Sequence, residues 1–388
     1  MDRTFGAAGR VAPRATLETS GQGARRGGEG RDGVADVKRI LWVVPAVVGV
    51  LLLAAAAVVQ FVVAPAKAVL PSDTDTTRTY AGTAATLFNA QALGTGGQVL
   101  RSDVPITVVH RTKVLETKDG NALVSDGKTV TAGSTTVAAV QYRYAVDRTS
   151  LAAGSGFSDV VEQHGITFNW PVRTNDHSYT GWISDTHATT TLSYKGTAKR
   201  GGLTCAVFTT TTKPAPITDS QVLGALPAGL PKQALAGLVG ALGLPAATVA
   251  AVQAALPTLP DTIPLQYTYQ VGATYWVAPT SGIVVDLEQH EVRSLVMTIG
   301  GQAMPAIPVM DLTFSDTPAT LTAAVQDARD KASGIDLLYR WLPLWLAVGG
   351  GVLVLAGVAW MAFPGRRRPT AGPGGGHERI EPVGTSGP

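Results

Sequence analysis

Asp176 and His177 stand side by side in the run GITFNWPVRTNDHSYTGWIS, residues 165–184, and His164 and His187 flank it. An aspartate beside a histidine is the acid–base half of a hydrolytic triad, and three histidines in one segment could share a metal ion. Spacing argues against both. His164, His177 and His187 are separated by 13 and 10 residues, which matches no helical or zinc-ligand pattern, so only strand pairing would gather them. Cys205 is the only cysteine, and a thiolate cluster is excluded. A nucleophile would call for a G-x-S-x-G elbow, and the nearest stretch, AAGSGF around Ser155, reads as a turn. GTGGQ from Gly94 lacks the lysine of a phosphate loop, and GGLTC from Gly201 lacks the rest of a dinucleotide fingerprint. RTNDHS itself is a set of turn formers whose Asp and Asn side chains bond to local backbone. No catalytic residue, metal ligand or cofactor is therefore expected, and the chain is not expected to be an enzyme.

The same run carries Phe168, Trp170, Tyr179 and Trp182, in a chain of which 6% is aromatic. Such side chains bury large areas. The expectation is a hairpin with RTNDHS as its turn, whose four aromatic residues line or support a ligand cavity.

The elements that must hold this run are mostly strands. VPITVVHRTKVLET, TVAAVQYRYAVD, ATTTLSYKGTA, LTCAVFTTTTK and PLQYTYQVGATYWVAP are rich in Val, Thr and Tyr and end at turn residues. SGIVVDLEQHEVRSLVMTIGG reads as one long strand or two. Cys205, within an apolar strand, is expected to be a buried thiol. Residues 220–260 break the pattern, with Lys232 as their only charge. Pro231 and Pro245 suit first helical turns, and Gly243 and Pro257 suit helix ends. An apolar helical hairpin, residues 219–257, is expected, its helices too short to cross a bilayer. Leu223, Leu226, Leu235, Leu238, Val239, Leu242, Val249 and Val252 would either pack against the sheet or form an apolar entrance or docking surface. Residues 318–340 read as a helix next to the membrane, with Leu321, Val325 and Ala328 on one face and a break at Gly334.

Two runs without charge, residues 40–63 and 341–363, are each long enough to cross a hydrocarbon core of about 30 Å as a helix. Arginines and lysines lie just before the first run and just after the second, which places both ends in the cytoplasm. An uncleaved anchor is favoured over a signal peptide because the leader and apolar core are too long for one. Residues 1–39 carry eight Lys and Arg against five Asp and Glu, residues 364–388 four against two, and residues 64–340 19 against 21. The basic excess thus belongs to the tails, where anionic lipid accounts for it without nucleic acid. The layout is a disordered tail (1–37), a span (38–63), a β-rich outer domain (64–340), a span (341–363) and a second disordered tail (364–388). The fold class is α+β: a large, mostly antiparallel sheet or barrel in a two-pass plasma-membrane protein.

Phe168, Pro171, Thr174, Tyr179 and Trp182, then YWVAPTSGIVV over residues 275–285, then the helix running into LLYRWLP, carry a resemblance. The chain resembles the actinobacterial two-pass membrane proteins filed under the PorA porin name, over roughly residues 38–365. The family name implies a channel. Apolar helices are retained in the first bilayer they meet, so a pore would have to form from the β-rich domain. The arrangement also looks like that of the scavenger-receptor class B family, whose outer domain encloses a lipid tunnel. The expected function is binding or passage of apolar envelope lipids, with a porin-like solute channel or an organiser of envelope protein partners as alternatives.

Overall fold

A computed structural model describes residues 32–89, 92, 98–235, 246–299 and 302–362. Residues 1–31 and 363–388 lie outside the described residues, whereas residues 32–37, expected to belong to a disordered tail, begin the helix Asp32–Val58. The chain divides into two compact units, residues 1–53 with 348–388, and residues 54–347. Among the described residues, two helices are long and apolar enough to cross a membrane, Val43–Lys67 and Pro318–Trp360.

The first unit pairs parts of these two helices through small residues. A Cβ on Gly49 would fall 2.6 Å from the Gly350 carbonyl oxygen, and one on Gly357 would fall 2.9 Å from the Ala46 Cβ. Glycine at such positions lets the helix backbones approach where no hydrophobic force holds them together in lipid. Val44, Val47, Leu51, Val352 and Leu355 face outward, as a lipid-solvated surface requires.

The second unit is a curled antiparallel sheet, a half-barrel. Its strands are β1 (Asp75–Phe88), β2 (Leu100–Arg101), β3 (Val104–Lys118), β4 (Asn121–Ala132), β5 (Thr135–Asp147), β6 (Tyr179–Ile183), β7 (Ala188–Arg200), β8 (Leu203–Thr211) and β9 (Ala215–Pro216). They are followed by β10 (Gly229–Pro231), β11 (Thr262–Pro264), β12 (Gln266–Val277), β13 (Val284–Val296), β14 (Thr298–Ile299), β15 (Gln302–Ala303) and β16 (Ile307–Asp316). The main path runs β5-β4-β3-β1-β16-β13-β12-β8-β7-β6. β1, β4 and β16 were not among the strands anticipated above; β1 and β16 sit at the centre of this order and β4 next to the β5 edge.

Residues 148–178 run along the open side and bond to both edges. Gly154 N–H donates to Ala145 O (2.8 Å) and Val161 N–H to Arg143 O (2.8 Å) on β5. Ile166 N–H donates to Thr180 O (2.9 Å), and Trp182 N–H returns the bond to Ile166 O (3.0 Å) on β6. The expected aromatic hairpin does not form. Phe168 and Trp170 lie in irregular chain, and β6 pairs with β7 instead. Ile166 meets Gly181 only as an isolated parallel bridge, so the seam is closed by a strap rather than a ribbon.

At one end of the sheet β10 pairs with β11 and closes the base of the insert. A short helix, Ser220–Gly224, is capped by Asp219, whose carboxylate accepts from Val222 N–H (2.9 Å). A second helix spans Ala246–Ala255. Residues 236–245, including Leu238, Val239 and Leu242, lie outside the described residues.

At the other end the helix Pro318–Asp336 lays Leu321, Val325 and Ala328 against Cys205, Ala278 and Val285 on the outer face of the sheet. Cys205 is a buried free thiol, and burial pushes it up to about 11. No break occurs at Gly334. The helix continues through one π turn, Leu337–Trp341, into Leu342–Ala362. A single glycine costs a helix only about 1 kcal/mol, which packing on both sides outweighs. The other membrane helix carries a π turn too, Val59–Val63, and the two turns touch.

Candidate functional site

The concave face of the sheet encloses a cavity of about 210 Å³, to which all ten strands of the main path and the strap contribute. Alternation along each strand sends every second side chain inward. Here several of those inward positions are charged. Arg78, His110, Asp126, Lys128 and Arg293 line the cavity from strands, and Asp185 lines it from the turn after β6.

Each charge has a partner. Lys128 Nζ lies 2.7 Å from both carboxylate oxygens of Glu291. Tyr269 Oη donates to the same carboxylate at 2.9 Å and Gln289 Nε2 at 3.1 Å. Arg293 Nε donates to Asp185 at 2.8 Å. Asp126 accepts from Thr112 at 2.8 Å and pairs with His110 at 2.8 Å. Arg78 bonds to Asp316 at 2.5 Å and also donates to the Val284 carbonyl. Burial alone would raise the Glu291 carboxyl, but Lys128 and Arg293 beside it and the Tyr269 hydroxyl outweigh burial and hold it at about 2. Asp316 shows the reverse. Burial, aided by Asp286, pushes it up to about 6 against the pull of Arg78.

Among the buried polar atoms of the cavity lining, Arg78 Nε, Trp170 Nε1, Trp182 Nε1 and Thr167 Oγ1 have no hydrogen-bond partner among the described residues. Three of the four are N–H donors. Leaving a buried donor unmatched costs about 1–3 kcal/mol, so such a group in a native interior calls for a partner.

Of the aromatic residues singled out from the sequence, Phe168, Trp170 and Trp182 line this cavity. Tyr179 is not in its lining; it stacks on His177 and meets Phe208 edge-on. His164 and His187 pack against Trp182 at 5.4 and 6.2 Å, and His177 sits apart on Tyr179, so the three histidines share no ligand position. Asp176 has no contact with the cavity. In the insert, Leu235 and Val252 are fully buried, Leu226 and Val249 are half-buried against the same cluster, and Leu223 is exposed.

The charged lining was not anticipated from the sequence. Its signal is present, however: Arg78 and Tyr80, Asp126 and Lys128, and Glu291 and Arg293 are spaced by two within β-forming stretches, the spacing that puts both on one face.

The three motif stretches quoted above meet in space. Trp170 N–H donates to Gly282 O (3.0 Å), Arg173 N–H to Thr280 O (3.1 Å) and Thr174 N–H to Pro279 O (2.8 Å). The Arg173 guanidinium lies 4.7 Å from the Tyr339 ring in the π turn. Gly282 has φ +71°, and a Cβ there would collide with the carbonyl oxygens of Trp170 and Pro171; only glycine allows this approach. One junction of strap, β12–β13 connection and membrane helix therefore accounts for all three. Comparison with curated proteins finds no match. The model of the Porin PorA family matches residues 43–359, from the first membrane helix through the sheet into the second, and the chain belongs to that family.

Proposed function

We propose that this membrane protein serves as a porin-like element of the cell envelope, its curled sheet giving small polar solutes a chamber and passage. The observation that carries the reading is the charged, donor-bearing lining of the cavity. Such a lining replaces the water of a polar solute, whereas an apolar lipid inside it would strand paired charges and unmatched donors without return. The cavity is a binding chamber rather than a catalytic one, and the chain acts without a cofactor. Both ends of the chain lie in the cytoplasm and the sheet lies outside the plasma membrane, a topology supported by the basic flanks of both spans.

Conductance of the full chain in planar bilayers tests the reading. Stepwise currents are expected, and Thr210→Trp, which fills the cavity from β8, is expected to reduce them several-fold. A folded, inserted protein that passes no current would overturn the porin-like role. Lipid passage or an organising role would then be the readings to pursue, separated by whether envelope lipids or envelope proteins accompany the purified chain.

A further inference from the structure

A second cavity lies apart from the charged chamber, at the membrane end of the sheet. It has a volume of about 310 Å³, at the lower end of the range for small-molecule sites. Leu70, Leu151, Trp170, Ile283, Ile335 and Leu338 give it a mostly apolar wall. Two lining residues, Val63 and Leu338, belong to the π turns in which the two membrane helices touch. The cavity therefore sits where the helices leave the lipid.

Its polar lining is unbalanced. Lys67, Arg148 and Lys331 line it with one acidic residue, Asp330, while Asp73 and Asp327 lie near Lys331 outside the lining. Arg148 is held in place by its Nε, which donates to Leu70 O at 2.7 Å. Lys67 and Lys331 form no ion pair among the described residues, and both side chains are exposed. An apolar pocket beside a membrane helix, ringed by cations at headgroup height, complements one ligand class: an amphiphile with an acyl chain and an anionic head.

We infer that this cavity is a binding site for an anionic phospholipid, one acyl chain lying against Leu151 and Trp170 and the phosphate between Lys67, Arg148 and Lys331. The inference does not rest on solute passage through the chamber, with which it shares only the Trp170–Asn169 wall.

The test is native mass spectrometry of the full chain in micelles holding equal amounts of phosphatidylglycerol and phosphatidylcholine. Preferential retention of phosphatidylglycerol is expected. Lys67→Ala with Lys331→Ala, both on exposed side chains, is expected to lower that preference roughly 30-fold, from about 1 kcal/mol for each cation near a phosphate. Val172→Trp, which fills the pocket, is expected to reduce retention of both lipids. Equal retention of the two lipids by the unaltered chain, or an unchanged preference in the double variant, would overturn the assignment. Neither result depends on conductance, so this site and the porin-like reading stand or fall separately.

Discussion

Glu291 is a buried charge with Lys128, Tyr269 and Gln289 all bonded to its carboxylate. Its carboxyl is depressed from 4.5 to about 2 in the folded state. A depressed acid stabilises the fold fully above its unfolded value, and that contribution is lost as pH falls from 4.5 toward 2. The shift corresponds to a contribution on the order of 3 kcal/mol. Asp316 runs the other way. Raised from 3.8 to about 6, it favours the fold below pH 3.8 and ceases to do so as pH rises through 6. Glu291→Gln is expected to destabilise the protein by about 3 kcal/mol at neutral pH, because the half-buried Lys128 is left without its counter-charge. The same variant should show a flatter fall in melting temperature between pH 4.5 and 2, read by circular dichroism in detergent. At this scale the sequence is only half legible. The aromatic residues announce themselves by density, whereas Glu291 and Lys128 become a site only once the strands pair.

The strap and the helix Pro318–Asp336 fix where the sheet meets the membrane. That helix starts at a three-way junction: Thr317 Oγ1 accepts from Thr320 N–H, and Thr320 Oγ1 donates to Thr79 O at 2.8 Å on β1. The helix is thus registered to the central strand β1 by its cap as well as to the sheet by its apolar face. Thr317→Ala is expected to cost about 1 kcal/mol and Thr317→Ser to restore most of it, both measured by thermal unfolding. Period-two Val, Thr and Tyr residues made β3, β5, β7, β8, β12 and β13 readable from the sequence. β1 and β4 escaped the same reading because Arg78, Asp126 and Lys128 occupy inward positions where an apolar residue would be expected. β16 does carry plain alternation, with Met310, Leu312 and Phe314 facing in and Asp311 and Thr313 between them. The hairpin expected around RTNDHS fails for a related reason. Trp170 finds its backbone partner at Gly282, over a hundred residues away, not across a local turn.

At the scale of the molecule, the sheet's outer face separates this protein from a lipid-spanning barrel. Its outward positions include Thr77, Thr107, Arg111, Lys113, Thr191 and Lys195, all exposed, where a barrel in lipid presents an apolar band. Arg111 and Asp75 even form a two-pronged ion pair there. The outer face of the sheet therefore suits water, and the apolar surface long enough to cross a bilayer is that of the two helices. With Cys205 buried, Thr107→Cys supplies a lone reactive thiol: rapid labelling by a membrane-impermeant maleimide in proteoliposomes is expected, and protection of that thiol by lipid would place the strands in the bilayer instead. The sequence by itself determined the two membrane helices, the predominance of strands and the apolar insert, because run length, charge and period are local properties of the chain. Only the tertiary structure decided the chamber and the second cavity. The Lys128–Glu291 pair joins residues 163 positions apart, and the pocket wall draws on both membrane helices, the strap and the β12–β13 connection. Such juxtapositions follow from strand order and closure of the sheet, which no local stretch of sequence encodes.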